Sequence, residues 1–332
     1  MLVYLCARNF AMHTIQFIIN ESEITAGTRG ASLGPRAVEI EALKKNDDLF
    51  VRAPVHTVAH RNNALYDRTR FPLAKRIDAY SEVFADAARV VADVMDSGYF
   101  PLVISGDHGN AAGTIAGLKM SRPEQRMGVI WIDAHADMHS PYTTPSGNMH
   151  GMPLAICLNE DNENSRINDP DSETSGYWNN LKAFGDIAPK INYEDLVFFG
   201  VRDVEEPEVQ LMQERKVPNY TVDVVKKRGV KKCVAEVLDK LNDCDYIYVS
   251  FDVDSMDPNI VSKGTGTPVK NGFRPAAVLE IMQLIIASGK VACLEIVEVN
   301  PLLDNKGNEM ARTTYNILKE LIHSIEKAAS QR

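Results

Sequence analysis

Apolar residues in this chain gather into short unbroken runs separated by longer stretches with helical spacing. Residues 14–19, 100–106, 127–132, 196–200, 246–251 and 291–297 are runs of this kind, and 217–222 is a shorter one. Their lack of apolar–polar alternation predicts strands covered on both faces. Between them Ile77, Tyr80, Phe84, Ala87, Val91 and Val94 recur at three-to-four spacing, which predicts a helix ended by Gly98. Helical patterns also cover the stretch after Asn110, residues 224–241 and 276–287, and about 308–329, where Tyr315, Leu318, Ile322 and Ile325 face inward. Strand, helix, strand at these distances is a βαβ rhythm. It predicts an α/β fold, three-layer α/β/α, with a mostly parallel central sheet.

Two polar stretches interrupt the rhythm. Residues 56–71 hold His56, His60, Arg61, Arg68 and Arg70 and read as a surface loop. Residues 159–180 carry six acidic side chains and one arginine, and read as a long solvated loop insertion. No repeat or composition break divides the chain, so residues 1–332 are expected to form a single domain. Met12 offers an alternative start, which would make residues 1–11 an extension outside the core.

Composition narrows the class. With 332 residues and 45% hydrophobic content the chain can bury a substantial core, and its formal charge of −9 argues against nucleic acid or an anionic membrane as partner. No run reaches the roughly 20 apolar residues of a membrane span. The five cysteines are odd in number and widely spaced, without zinc-type pairs. They read as thiols of a reducing, cytoplasmic compartment. The glycine-rich segment before Pro35 matches neither phosphate-loop pattern and is read as a tight turn at the sheet edge.

The chemistry lies at the strand ends. The run at 127–132 passes into DAHADMHSPYTTPSGNMHG, in which Asp133, His135 and Asp137 alternate and would share one side if the extended backbone persisted. Clustered carboxylates are costly to bury unless a cation neutralises them. His108 follows another strand, Asp252 and Asp254 a third, and Glu298 a fourth. In a parallel sheet all of these meet beyond the carboxyl edge. Two histidines and four aspartates suit a pair of divalent ions with hard or borderline preferences: manganese first, with cobalt, nickel, iron or zinc as alternatives.

The segments SGDHGNAAG, WIDAHADMHSPYTTPSGNMHG, FGVRDVEEPE, SFDVDSMDP, GTGTP and EVNP, spread over residues 105–301, resemble the ureohydrolase superfamily and, within it, most of all the arginases. The resemblance implies manganese-dependent hydrolysis of L-arginine to L-ornithine and urea by a hydroxide bridging two Mn2+ ions per chain. The alternative is another guanidino or formimino compound: agmatine, guanidinobutyrate, guanidinopropionate or formiminoglutamate. Carried over by position, His108, Asp133, Asp137 and Asp252 would hold one ion and Asp133, His135, Asp252 and Asp254 the other. Asp137 would steady the hydroxide and could relay a proton, His150 would serve proton transfer or the substrate's amino end, and Glu298 would pair with the guanidinium. Thr144, Ser146 and Asn148 would read a carboxylate, and Glu205 and Glu208 an amino group. His139 stands where arginases usually have a carboxylate-binding asparagine, and Glu205 where they have an aspartate. The resemblance also implies a homo-oligomer, trimer or hexamer.

Overall fold

The computed structural model describes residues 15–330, so the extension expected at residues 1–11 lies outside the described residues. Eight strands, β1 (Ile15–Asn20), β2 (Val55–Thr57), β3 (Phe100–Ser105), β4 (Met127–Ile132), β5 (Leu196–Phe199), β6 (Asn219–Tyr220), β7 (Tyr246–Asp252) and β8 (Val291–Val297), form one sheet. Their order is β2-β1-β3-β8-β7-β4-β5-β6, and every pairing is parallel. Helices cover both faces, giving the expected three layers. Successive residues of β4 enter opposite cores: Ile130 and Ile132 join Val249, Phe251 and Leu318 on one face, while Val129 and Trp131 join Tyr80, Phe84 and Trp178 on the other. This two-sided burial explains the unbroken apolar runs, because both sets of side chains leave water.

The order has a functional consequence. The strands that precede the candidate site residues are β3, β8, β7 and β4, which are consecutive neighbours in the middle of the sheet. Four strand ends far apart in sequence therefore open onto one crevice.

Three local expectations change. Residues 159–180 are only partly loop, because a helix runs over Ser172–Lys182 with Trp178 and Leu181 buried. The Asp171 side chain caps it by accepting from the Thr174 N–H at 2.7 Å. Its sparse apolar positions hid the helical period. The stretch read as one helix at 224–241 is two, Val222–Arg228 and Val230–Lys240, because Gly229 between them has φ 87°. The surface stretch at 56–71 begins inside β2, where His56 pairs with Ile18 at the sheet edge.

Candidate metal centre and substrate pocket

Strand geometry ends at Ile132, so alternation does not orient the acidic trio. A looser path, with Asp137 in the left-handed region at φ 52°, brings Asp133 and Asp137 to the same His108 nitrogen and turns His135 towards Asp254. A non-glycine residue there costs on the order of 1 kcal/mol and is retained where surroundings demand it. The Oδ2 of Asp133 lies 2.9 Å from His108 Nδ1, and the Oδ2 of Asp137 and of Asp252 lie at 3.0 and 3.2 Å from the same nitrogen. The other Asp133 oxygen turns towards His135, whose Nδ1 is 3.5 Å away and 3.0 Å from Asp254 Oδ2. Two donor triads result, His108–Asp133–Asp137 and Asp133–His135–Asp254, each with its atoms within 4.8 Å of one another. Asp133 belongs to both and gives one oxygen to each.

These side chains fit a pair of cations better than they fit one another. His108 Nδ1 and Asp133 Oδ2 are buried and close, yet neither has a hydrogen-bond partner. Asp137 and Asp252 each bring a further oxygen within 3.2 Å of the same nitrogen, so several donor atoms crowd one place, the arrangement expected of ligands. Burial pushes the carboxyl pKa of Asp137, Asp252 and Asp254 up, and the Asp133 charge adds to each rise. Burial works against charge on His108 and His135, but the surrounding carboxylates outweigh it and raise both rings. A cluster that draws in protons so strongly is short of positive charge.

A cavity of about 450 Å³ opens above the triads, lined among others by Thr144, Ser146, Asn148, His150, Asp203, Glu205, Glu208 and Thr267. His150 Nδ1 is 3.5 Å from Glu298 Oε1, which also accepts the backbone N–H of His108 at 3.0 Å. Glu298 itself sits at φ 66°, buried just behind the cavity wall. At the far side the His139 ring differs from expectation. It does not present a free donor for a substrate carboxylate: its Nε2 faces Glu205 Oε2 at 3.1 Å and Glu208 Oε2 at 3.4 Å, and its Nδ1 faces Thr143 at 3.2 Å. The reason is local. Glu205 and Glu208 form a reciprocal capping box at the helix Glu206–Glu214, which fixes two acids beside the ring. Burial alone disfavours charge on His139, and the two glutamates reverse this and raise its pKa. Burial pushes Glu208 up to about 7, while the hydrogen bond from His139 draws Glu205 down to about 2.

The profile of the Arginase family matches residues 15–323. The chain belongs to the arginase family. It is 33% identical to the arginase of Bacillus subtilis (strain 168) over 313 residues, covering 93% of this chain and 97% of that one. Human Arginase-1 is 33% identical over 245 residues, 73% of this chain and 71% of that one. Among solved structures, arginase from Bacillus caldovelox superposes with a TM-score of 0.78 at 29% identity, over 93% of this chain and 98% of that one. Entamoeba histolytica arginase, solved in complex with L-ornithine, gives 0.77 at 25% identity, over 94% and 99%. With its two donor triads, this arginase-family chain is a metal-dependent ureohydrolase.

Several residues that support the site were not singled out in the sequence. Ser250 Oγ is 2.7 Å from His108 Nε2, and the Trp131 ring stacks on the His108 ring at 4.1 Å between centroids. Ser250 lies two residues before Asp252 within β7, so strand alternation pointed to it. Thr267 donates to Asp254 Oδ2 at 3.0 Å. The Arg202 guanidinium ties loops together by donating to the carbonyls of Gly200, Asp254, Val269 and Lys270. Such partners orient ligands and sharpen metal affinity. Accordingly, Ser250→Ala is expected to weaken metal binding by about 10- to 100-fold, as read by titrating the metal-free protein and following bound metal.

Proposed function

We propose that this protein hydrolyses the guanidinium group of L-arginine to L-ornithine and urea with two manganese ions. The observation that carries this reading is the division of Asp133 between two donor triads beneath a pocket whose rim holds Ser146, Asn148, Glu205 and Glu208. His108, Asp133, Asp137 and Asp252 would hold one ion and Asp133, His135, Asp252 and Asp254 the other. Oxygen and imidazole donors without thiolate suit manganese. A bound pair of such ions supplies an activated water at neutral pH.

The chain's own groups do the rest. A guanidinium is planar, cationic and a poor electrophile, and Glu298 supplies the negative charge that aligns it. Its Oε1 is pinned by the His108 N–H, so the carboxylate is oriented before substrate arrives. Departure of the ornithine amine needs a proton, which Asp137 or His150 delivers. Ser146 and Asn148 hold the carboxylate, and the Glu205–Glu208–His139 cluster faces the amino end. The L-ornithine complex of the Entamoeba histolytica relative supports an amino-acid end group here. Assembly as a trimer or hexamer belongs to the same proposal.

A second reading, a guanidino acid lacking the α-amino group such as guanidinobutyrate, is favoured by His139, which already offsets the charge of Glu205 and Glu208. Turnover of arginine, agmatine, guanidinobutyrate, guanidinopropionate and formiminoglutamate by manganese-loaded protein separates the two. Arginine should lead. No urea from arginine alongside turnover of another compound overturns the first reading.

A further inference from the structure

The described residues lining the pocket include aspartates and glutamates at both depths, yet no lysine or arginine. The metal pair proposed above would offset the acids at the floor. Asp203, Glu205 and Glu208 remain at the rim, and they disfavour a substrate carboxylate unless a positive charge lies near. One ammonium stands just outside the wall. Lys75 Nζ donates to Asn148 Oδ1 at 3.0 Å, across 73 residues of sequence.

This contact is built in at the backbone as well. The Lys75 N–H donates to the Gly147 carbonyl at 2.8 Å. Gly147 has φ 75°, and a Cβ there would lie 1.9 Å from the Pro72 carbonyl oxygen. The segment carrying Lys75 is thus pressed against the Ser146–Gly147–Asn148 turn, and no side chain fits between them. Asn148 is held from its other neighbours too, with its N–H donating to Ser146 Oγ at 3.1 Å and its amide nitrogen lying against Gly27.

We infer that Lys75 is a positioning residue for substrate carboxylate recognition, acting through the Asn148 amide. An ammonium has donors and no acceptor, so its partner must be the amide oxygen. That sets the orientation of Asn148 and leaves its NH2 end as the donor for a carboxylate. The positive charge one amide group away also polarises that NH2 and offsets the acids at the rim. Lys75 therefore selects for guanidino compounds that carry a carboxylate over those, such as agmatine, that lack one. This assignment rests on the proposed reading of the pocket as an amino-acid site.

The test compares Lys75→Met with Lys75→Arg in the manganese-loaded full chain. For Lys75→Met the KM for arginine should rise about tenfold, a loss equivalent to roughly 1.4 kcal/mol, with kcat moving much less. The inhibition constant of agmatine as a competitor of arginine should stay within about twofold, well inside the effect of a lost charge-assisted contact. Lys75→Arg should restore most of the arginine KM, and the salt dependence of that KM should flatten in Lys75→Met only. Equal shifts for arginine and agmatine, or no shift for either, overturn the role of Lys75. Bound-metal content and thermal melting separate a folding defect from the effect sought, and Lys75→Gln repeats the charge removal with a different shape. A wild-type protein that releases no urea from arginine overturns the substrate reading itself, whereas intact arginine turnover with an unmoved preference overturns only this inference.

Discussion

Asp133→Ala is expected to abolish turnover and to lower bound metal from two ions per chain to one or none. Asp133 is the residue common to both donor triads, with one oxygen facing His108 and the other facing His135. On the proposed ligand set its removal takes a donor from each ion and leaves Asp137 and Asp252 as the carboxylates beside His108 Nδ1. A loss on the order of 10³-fold or more in kcat is anticipated, since the activated water depends on both ions. Metal analysis of the purified variant together with a urea assay checks this. The fold should survive: deleting the side chain removes repulsion among buried acids, which burial and Asp133 together push up in pKa. Two ions retained by a folded Asp133→Ala protein would rule out the shared-ligand geometry.

Glu298→Gln should have nearly as large an effect by a different route. Here metal content stays at the wild-type level while kcat/KM for arginine falls by about 10²- to 10³-fold, the scale of losing one preorganised charge partner. The glutamine can still accept the His108 N–H, which the carboxylate accepts at 3.0 Å, so the residue keeps its place at φ 66°. What disappears is the negative charge that would align a guanidinium. Metal analysis and steady-state kinetics on one preparation distinguish the two variants. Asp133→Ala loses metal and activity together, and Glu298→Gln loses activity alone. A Glu298→Gln protein that also sheds metal would assign that carboxylate to the centre and not to the substrate.

How much of this was legible beforehand differs between the sheet and the pocket. The central strands β3, β4, β7 and β8 are buried on both faces, so their apolar runs are continuous and their ends abrupt. The helix Ser172–Lys182 was missed because only a few of its side chains reach the core, and most of its surface meets water. At the pocket, residue types did not give the pairings. His139 was expected to offer a hydrogen bond to a substrate carboxylate, and the capping box brought Glu205 and Glu208 to it instead. Nothing in the local pattern around Lys75 marked it, since its partner Asn148 is remote in sequence.

The sequence by itself determined the kind of chemistry: acidic and imidazole groups follow buried strands, and parallel strands bring their carboxyl ends to one edge. Periodicity and motif spacing carry that information because they follow from local backbone geometry. Only the tertiary structure decided that β3, β8, β7 and β4 lie side by side, that each Asp133 oxygen serves a different triad, and that Ser250 and Lys75 stand behind His108 and Asn148. Those contacts depend on strand order and side-chain rotamers across 73 to 142 residues of chain, where no local period relates one partner to the other.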